Sequence, residues 1–100
     1  METIGIYVIC SRIKPNRFYI GLTRNFEKRK MTHTKTLKYH KHPNRRLQLH
    51  CNKYGVDDLY FLIYHFCDEK ELLYMEGKII KELKPYFNMV TKVPKWTENI

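Results

Sequence analysis

No apolar run in the 100-residue sequence approaches the length of a membrane span, and no segment has the build of a signal peptide. A soluble, intracellular chain with no membrane partner is the expectation. Internal repeats and low-complexity tracts are also missing, so the length reads as one domain with one site. There is no Cys-x-x-Cys pair. Cys10, Cys51 and Cys67 are odd in number and widely spaced, which fits reduced thiols and not a disulfide framework. The His40-Lys41-His42 pair lacks a second ligand pair at suitable spacing, which sets aside a structural zinc site. Acidic residues are scarce, with 10 Asp+Glu against 19 Lys+Arg and a formal net charge of +9. Such an excess attracts polyanions through counterion release, and nucleic acid is the leading partner. A basic ribosome-associated or protein-interaction domain is the plainer alternative. The basic residues are not confined to one amphipathic segment, which weighs against a membrane-surface role.

Residues from Ile4 to Ile9 and from Arg17 to Leu22 are rich in Ile, Val, Tyr and Phe, with Lys14-Pro15-Asn16 between them, and predict a β-hairpin. Alternation puts Gly5, Tyr7 and Ile9 on one face of the first strand, and Tyr19 with Gly21 and Thr23 on one face of the second. If the two tyrosines share a side, each phenol stands beside a glycine that leaves open space; cross-strand packing is the plainer reading of the same pair. Asn25 is the predicted N-cap of a basic helix whose apolar content is little more than Phe26, Met31 and Leu37. Arg29 and His33, four apart, share one face of it. Pro43 and Gly55 bracket a second helix in which Leu47, Cys51 and Tyr54 follow helical spacing. The continuous apolar run Leu59 to Phe66 predicts the central strand of a sheet. Asp68 and Glu71 have a capping-box arrangement before a third helix that runs through Leu72, Leu73, Ile79, Ile80 and Leu83 until Pro85. Residues 1–90 form the expected domain, and 91–100 lose the pattern and read as a tail.

Glu76 falls on the apolar stripe of the third helix, one turn from Leu72 and Ile80. A carboxylate there needs a cation or hydrogen-bond donors to offset a desolvation cost of several kcal/mol. A metal, an arginine or a structural ion pair would each answer. Gly77 beside it weakens the helix by about 1 kcal/mol relative to alanine, and is expected to permit close packing or ligand approach.

Gly5-Ile6-Tyr7, Tyr19-Ile20-Gly21, Arg29, His33, Glu76 and Asn88 stand in that order along the chain. Taken together they resemble the GIY-YIG nuclease family, over nearly the whole length from Gly5 to Asn88. The stretch RRLQLHCNKYGVDDLYFLI is similar to the corresponding region of phage and intron-encoded homing endonucleases, more than to restriction or excision-repair members. The resemblance implies an α+β fold, a small three-stranded antiparallel sheet flanked by three helices in the order β-β-α-α-β-α. It also implies a metal-dependent DNA endonuclease that hydrolyses phosphodiester bonds, with a noncatalytic nucleic-acid-binding module of the same fold as the alternative.

In the catalytic reading, Glu76 holds one Mg²⁺ or Mn²⁺, and Arg29 grips the phosphate through its planar fork of donors. Tyr7 positions or deprotonates the attacking water with Tyr19 in support, or the two exchange roles. As a base near neutral pH a phenol needs nearby positive charge, from the metal, Arg29 or His33. His33 hydrogen-bonds a tyrosine or the phosphate, as a proton relay or as a positioning group. Lys28, Lys30, Lys35 and Lys38 are candidate phosphate contacts, His42 and Asn44 candidate DNA contacts from a loop, and Asn88 is expected to anchor the end of the chain beside the substrate. The expected partner is double-stranded DNA, bound by a monomer, with pairing on DNA as one route to a double-strand break. No small-molecule cofactor is expected.

Overall fold

The computed structural model describes residues 3–88, so the tail expected at 91–100 lies outside the described residues. Strands β1 (Gly5–Ser11) and β2 (Phe18–Thr23) form the predicted hairpin, with Tyr7 opposite Gly21 and Ile9 opposite Tyr19. Helices α1 (Phe26–Lys38) and α2 (Arg45–Tyr54) follow, then strand β3 (Leu59–Phe66) and helix α3 (Leu72–Leu83). The sheet is antiparallel, in the spatial order β2-β1-β3. No helix among the described residues is long and apolar enough to cross a membrane.

The central strand is β1, and β3, expected there, is an edge strand. An unbroken apolar run suggests burial on both faces, but Leu62, Tyr64 and Phe66 are exposed. The alternation in β1 identifies the centre better, because each of its faces builds a separate core. Tyr7 and Ile9 pack with Leu37 of α1, Leu47 and Cys51 of α2, Leu59 and Phe87. Ile6 and Val8 pack with Ile20 of β2 and with Leu72 and Ile79 of α3. Helices α1 and α2 therefore cover one face and α3 the other. The β1·β3 register shifts between Ile6 and Tyr7, and this irregularity brings the β3 backbone close to Gly5. A Cβ at Gly5 would lie 2.5 Å from the His65 carbonyl oxygen, so the first glycine of the opening triplet is a requirement of sheet packing.

Asparagine caps begin both helices on the first face. Asn25 accepts from the Lys28 N–H, and Asn44 from the Leu47 N–H. Gly55, with φ of 89°, ends α2 in a conformation that side chains rarely adopt. The capping box expected at α3 is not formed. Asp68 makes no side-chain cap bond, residues Glu69–Glu71 turn as a 3₁₀ helix, and α3 starts only at Leu72. Close packing at Gly77 is also absent: an added Cβ would meet nothing within 4 Å. Gly77→Ala is therefore expected to stabilise the fold by about 1 kcal/mol, read as a higher denaturation midpoint with an unchanged slope.

A polar cluster that the sequence did not suggest ties the hairpin to α2. Ser11 donates to Asp58 Oδ2 at 2.6 Å, His50 Nε2 lies 2.7 Å from the same oxygen, and the Ile13 N–H donates to Asp58 Oδ1 at 2.8 Å. Burial pushes the Asp58 carboxyl up, but the Ser11 hydroxyl, His50 and the Ile13 amide outweigh it and hold it below its ordinary value. A depressed carboxyl stabilises the fold above the unfolded-state pKa of about 3.9, and that stability is lost as pH falls further. Asp58→Ala is expected to cost about 3 kcal/mol at pH 7, with a smaller deficit below pH 4, measured by denaturation at both pH values.

Candidate active site

Tyr7 is buried on β1, with its ring lying over Gly21 of the neighbouring strand. A Cβ at Gly21 would sit 2.5 Å from the Tyr7 phenol oxygen, so the glycine of the second triplet makes the space that the tyrosine of the first one fills. Tyr19 stands on the same face, its ring centroid 6.1 Å from that of Tyr7. The hairpin therefore presents both phenols to α1.

Helix α1 meets the sheet through a narrow contact in which only His33 and Leu37 are buried. Arg29, one turn before His33, reaches the same phenol: its Nε donates to Tyr7 Oη at 3.3 Å, and His33 Nε2 lies 2.6 Å from that oxygen. On the other side of the sheet α3 carries Glu76 to the same place. Tyr7, Tyr19, Gly21, Leu22, Arg29, Leu73 and Glu76 line one cleft of about 300 Å³. Helices that cover opposite faces converge here over edge strand β2.

Burial sets the electrostatics of the cleft. It pushes the Tyr7 phenol well above its ordinary value, reinforced by Tyr19 and opposed by Arg29. Tyr19 is raised for the same first reason, with Arg29 pulling it down and Glu76 pushing it up. Burial also raises the Glu76 carboxyl, against the Leu22 backbone amide and Arg29, which lower it. His33 is pushed down to about 3 by burial, then by Arg29 and His42. The imidazole is thus neutral near pH 7. His33 therefore does not supply the positive charge that the sequence reading allowed it, and Arg29 is the cation beside the phenols.

Behind His33 lies His42, stacked at 4.9 Å between centroids, with its Nε2 2.7 Å from His33 Nδ1. Expected at a DNA-contacting loop, the His42 ring is turned inward instead. Its backbone N–H donates to the Gln48 side chain, and its Nδ1 accepts from the Asn44 N–H. The Asn44 side chain is also committed, to the α2 cap and to the Phe87 carbonyl at 2.7 Å.

Asn88 accepts from the Ile20 N–H at 2.8 Å and donates to the Ile20 carbonyl at 2.9 Å, which closes the free edge of β2 between Tyr19 and Gly21. Lys28, Lys30, Lys35 and Lys38 are exposed along α1, and none of them lines the cleft. Lys30 and Lys38 instead line a second groove with Arg12, Thr34 and Tyr60. Arg12, stacked over the Tyr60 ring at 5.0 Å, was not singled out from the sequence. Gln48 carries no signal in the sequence, because only the fold brings its side chain to the His42 N–H.

Among the described residues no group of three His, Cys, Asp or Glu side chains is placed to hold a metal ion, and no ion pair takes Glu76. A hard divalent cation fits here on one carboxylate, because such ions keep several waters and accept substrate oxygens. The donor set suits Mg²⁺ or Mn²⁺ and does not suit zinc. The cleft as a whole brings together one carboxylate, one guanidinium and two phenols.

The family model for the GIY-YIG catalytic domain matches residues 3–89. Two solved structures are similar over most of the chain. One is the catalytic domain of the intron endonuclease I-TevI in a glutamate-to-alanine mutant, 27% identical, with a TM-score of 0.79 over 91% of this chain and 97% of that one. The other is the catalytic domain of the homing endonuclease I-TevI, 29% identical, with a TM-score of 0.76 over 85% of this chain and 92% of that one. No curated protein sequence matches the chain.

Proposed function

Because the chain belongs to the GIY-YIG catalytic-domain family, we propose that it is a divalent-metal-dependent DNA endonuclease that hydrolyses phosphodiester bonds. The observation that carries this reading is the convergence of Tyr7, Tyr19, Arg29 and Glu76, from four elements, on one cleft. Phosphodiester hydrolysis needs an activated water in line with the leaving oxygen and positive charge on the phosphate. Arg29 donates its Nε–H to Tyr7 and keeps its remaining guanidinium donors for a phosphate oxygen. Glu76 is the residue that would hold Mg²⁺ or Mn²⁺, and a cation held there would supply Lewis-acid charge to the phosphate.

Tyr7, in its phenolate form, takes the proton of the attacking water, and the leaving 3′-oxygen takes a proton from solvent. The Tyr7 phenol is fixed by His33 and Arg29, and Tyr19, beside it on the same face, is the phenol that would hydrogen-bond near the scissile phosphate. The products are a 5′-phosphate and a 3′-hydroxyl. The groove with Arg12, Lys30 and Lys38, together with exposed Lys28 and Lys35, provides phosphate contacts that hold a duplex without reading its bases. Asn88 keeps the edge of β2 in place beside the bound strand. One copy with one such cleft cuts one strand at a time, and a second copy on the same duplex makes the opposite cut. The free thiols of Cys10, Cys51 and Cys67 suit an intracellular compartment. The test is incubation with supercoiled plasmid: nicked circles in Mg²⁺ or Mn²⁺, and intact plasmid in a chelator, are expected. Intact plasmid under every metal, from folded protein that binds the DNA, would favour a noncatalytic binding module.

A further inference from the structure

We infer that the His42 ring and the Asn44 backbone N–H fix the tautomer of His33, so that His33 donates a hydrogen bond to Tyr7 and is not the base that takes the Tyr7 proton. This rests on Tyr7 being the group that activates water. The direction of the relay follows from its far end. A backbone N–H can only donate, so at 3.0 Å the Asn44 amide makes His42 Nδ1 an acceptor. Neutral His42 then carries its proton on Nε2. That nitrogen is 2.7 Å from His33 Nδ1, which must accept, and neutral His33 in turn carries its proton on Nε2, 2.6 Å from the Tyr7 oxygen.

Both rings are neutral for the same physical reasons, burial and the nearby Arg29 guanidinium. A neutral imidazole has one donor and one acceptor, so the choice at Asn44 propagates through both rings. Arg29 Nε, also a donor only, approaches the same phenol oxygen at 3.3 Å. Tyr7 therefore accepts two hydrogen bonds, and its own proton points away from them toward Tyr19 and the cleft that both phenols line, through which it leaves. The phenolate that remains keeps both donors, and such bonds strengthen when the acceptor is charged. His42 is a positioning residue acting through His33, held in its loop by the Gln48 side chain and by the helix that Asn44 caps. An acceptor in place of His42 would reverse the relay, turning the bare Nε2 of His33 toward Tyr7.

The tautomers are read directly from long-range ¹H–¹⁵N spectra of the full chain labelled in its histidines, near neutral pH. His33 and His42 are both expected as neutral rings protonated at Nε2; His33 protonated at Nδ1 would overturn the relay. His42→Gln offers a side-chain N–H to His33 and is expected to keep plasmid nicking within about threefold of wild type. His42→Glu offers only an acceptor, and is expected to move the His33 proton to Nδ1 and to slow nicking at saturating DNA by about 10–100-fold with DNA affinity retained. Equal rates for the two variants would contradict the inference. If wild type cuts no DNA, the reading of Tyr7 fails, and the spectra still decide the tautomers.

Discussion

Glu76→Ala is expected to lower the rate of plasmid nicking by about 10³-fold or more while leaving DNA affinity close to that of wild type. Among the described residues it is the only carboxylate lining the cleft, so its removal takes away the one side chain proposed to anchor a divalent cation. Charge placed on a reacting phosphate in a water-poor site is worth about 10²–10³ in rate for each fixed donor, and a divalent ion exceeds one donor. The exposed lysines of α1 and the groove with Arg12 are untouched by the change, which is why binding persists. The fold persists as well. Glu76 is half-buried and raised by that burial, so replacing it relieves a desolvation cost. Single-turnover nicking and equilibrium DNA binding, measured together, check both halves of the expectation.

Tyr7→Phe is expected to reduce nicking by about 10²–10⁴-fold, the range of a lost general base. The same ring still fills the space over Gly21, but the donors of His33 and Arg29 lose their acceptor, at a cost of about 1–2 kcal/mol in stability. Its pH dependence separates a base from a spectator. Burial holds the Tyr7 phenol above its ordinary value, so the reactive phenolate is scarce at neutral pH and grows with pH. Wild-type rates should therefore climb on the alkaline side of neutrality, and the residual rate of Tyr7→Phe should lose that climb. Tyr19→Phe, with Tyr7 intact, should keep it.

Much of this site was legible in one dimension, because its parts obey local rules. Period-2 alternation grouped Tyr7 with Gly5 and Ile9, and Tyr19 with Gly21 and Thr23, and the four-residue spacing put Arg29 and His33 on one face of α1; the hairpin register, open in the sequence, brings the two tyrosines to one side. Glu76 stood out as a carboxylate on an apolar stripe. The errors lie where the answer depends on distant contacts. Leu59 to Phe66 looked central because an unbroken apolar run suggests that both faces are covered, yet α3 leaves Leu62 and Tyr64 to solvent. His42 looked like a loop residue free to meet DNA, since nothing nearby in sequence shows that Gln48 and the Asn44 amide turn it inward. The two triplet glycines were visible, but their reasons were not: one yields to the His65 carbonyl and the other to the Tyr7 ring.

Tyr7, Tyr19, Arg29 and Glu76 are proposed together to cut DNA. Single-turnover nicking of supercoiled plasmid, with wild type and Glu76→Ala at equal DNA occupancy in Mg²⁺ and in Mn²⁺, tests that proposal most directly. Nicked circles bearing 5′-phosphate ends are expected from wild type, and almost none from the variant. Folded, DNA-bound wild type that leaves the plasmid intact in both metals, or a variant that cuts as fast as wild type, would contradict it.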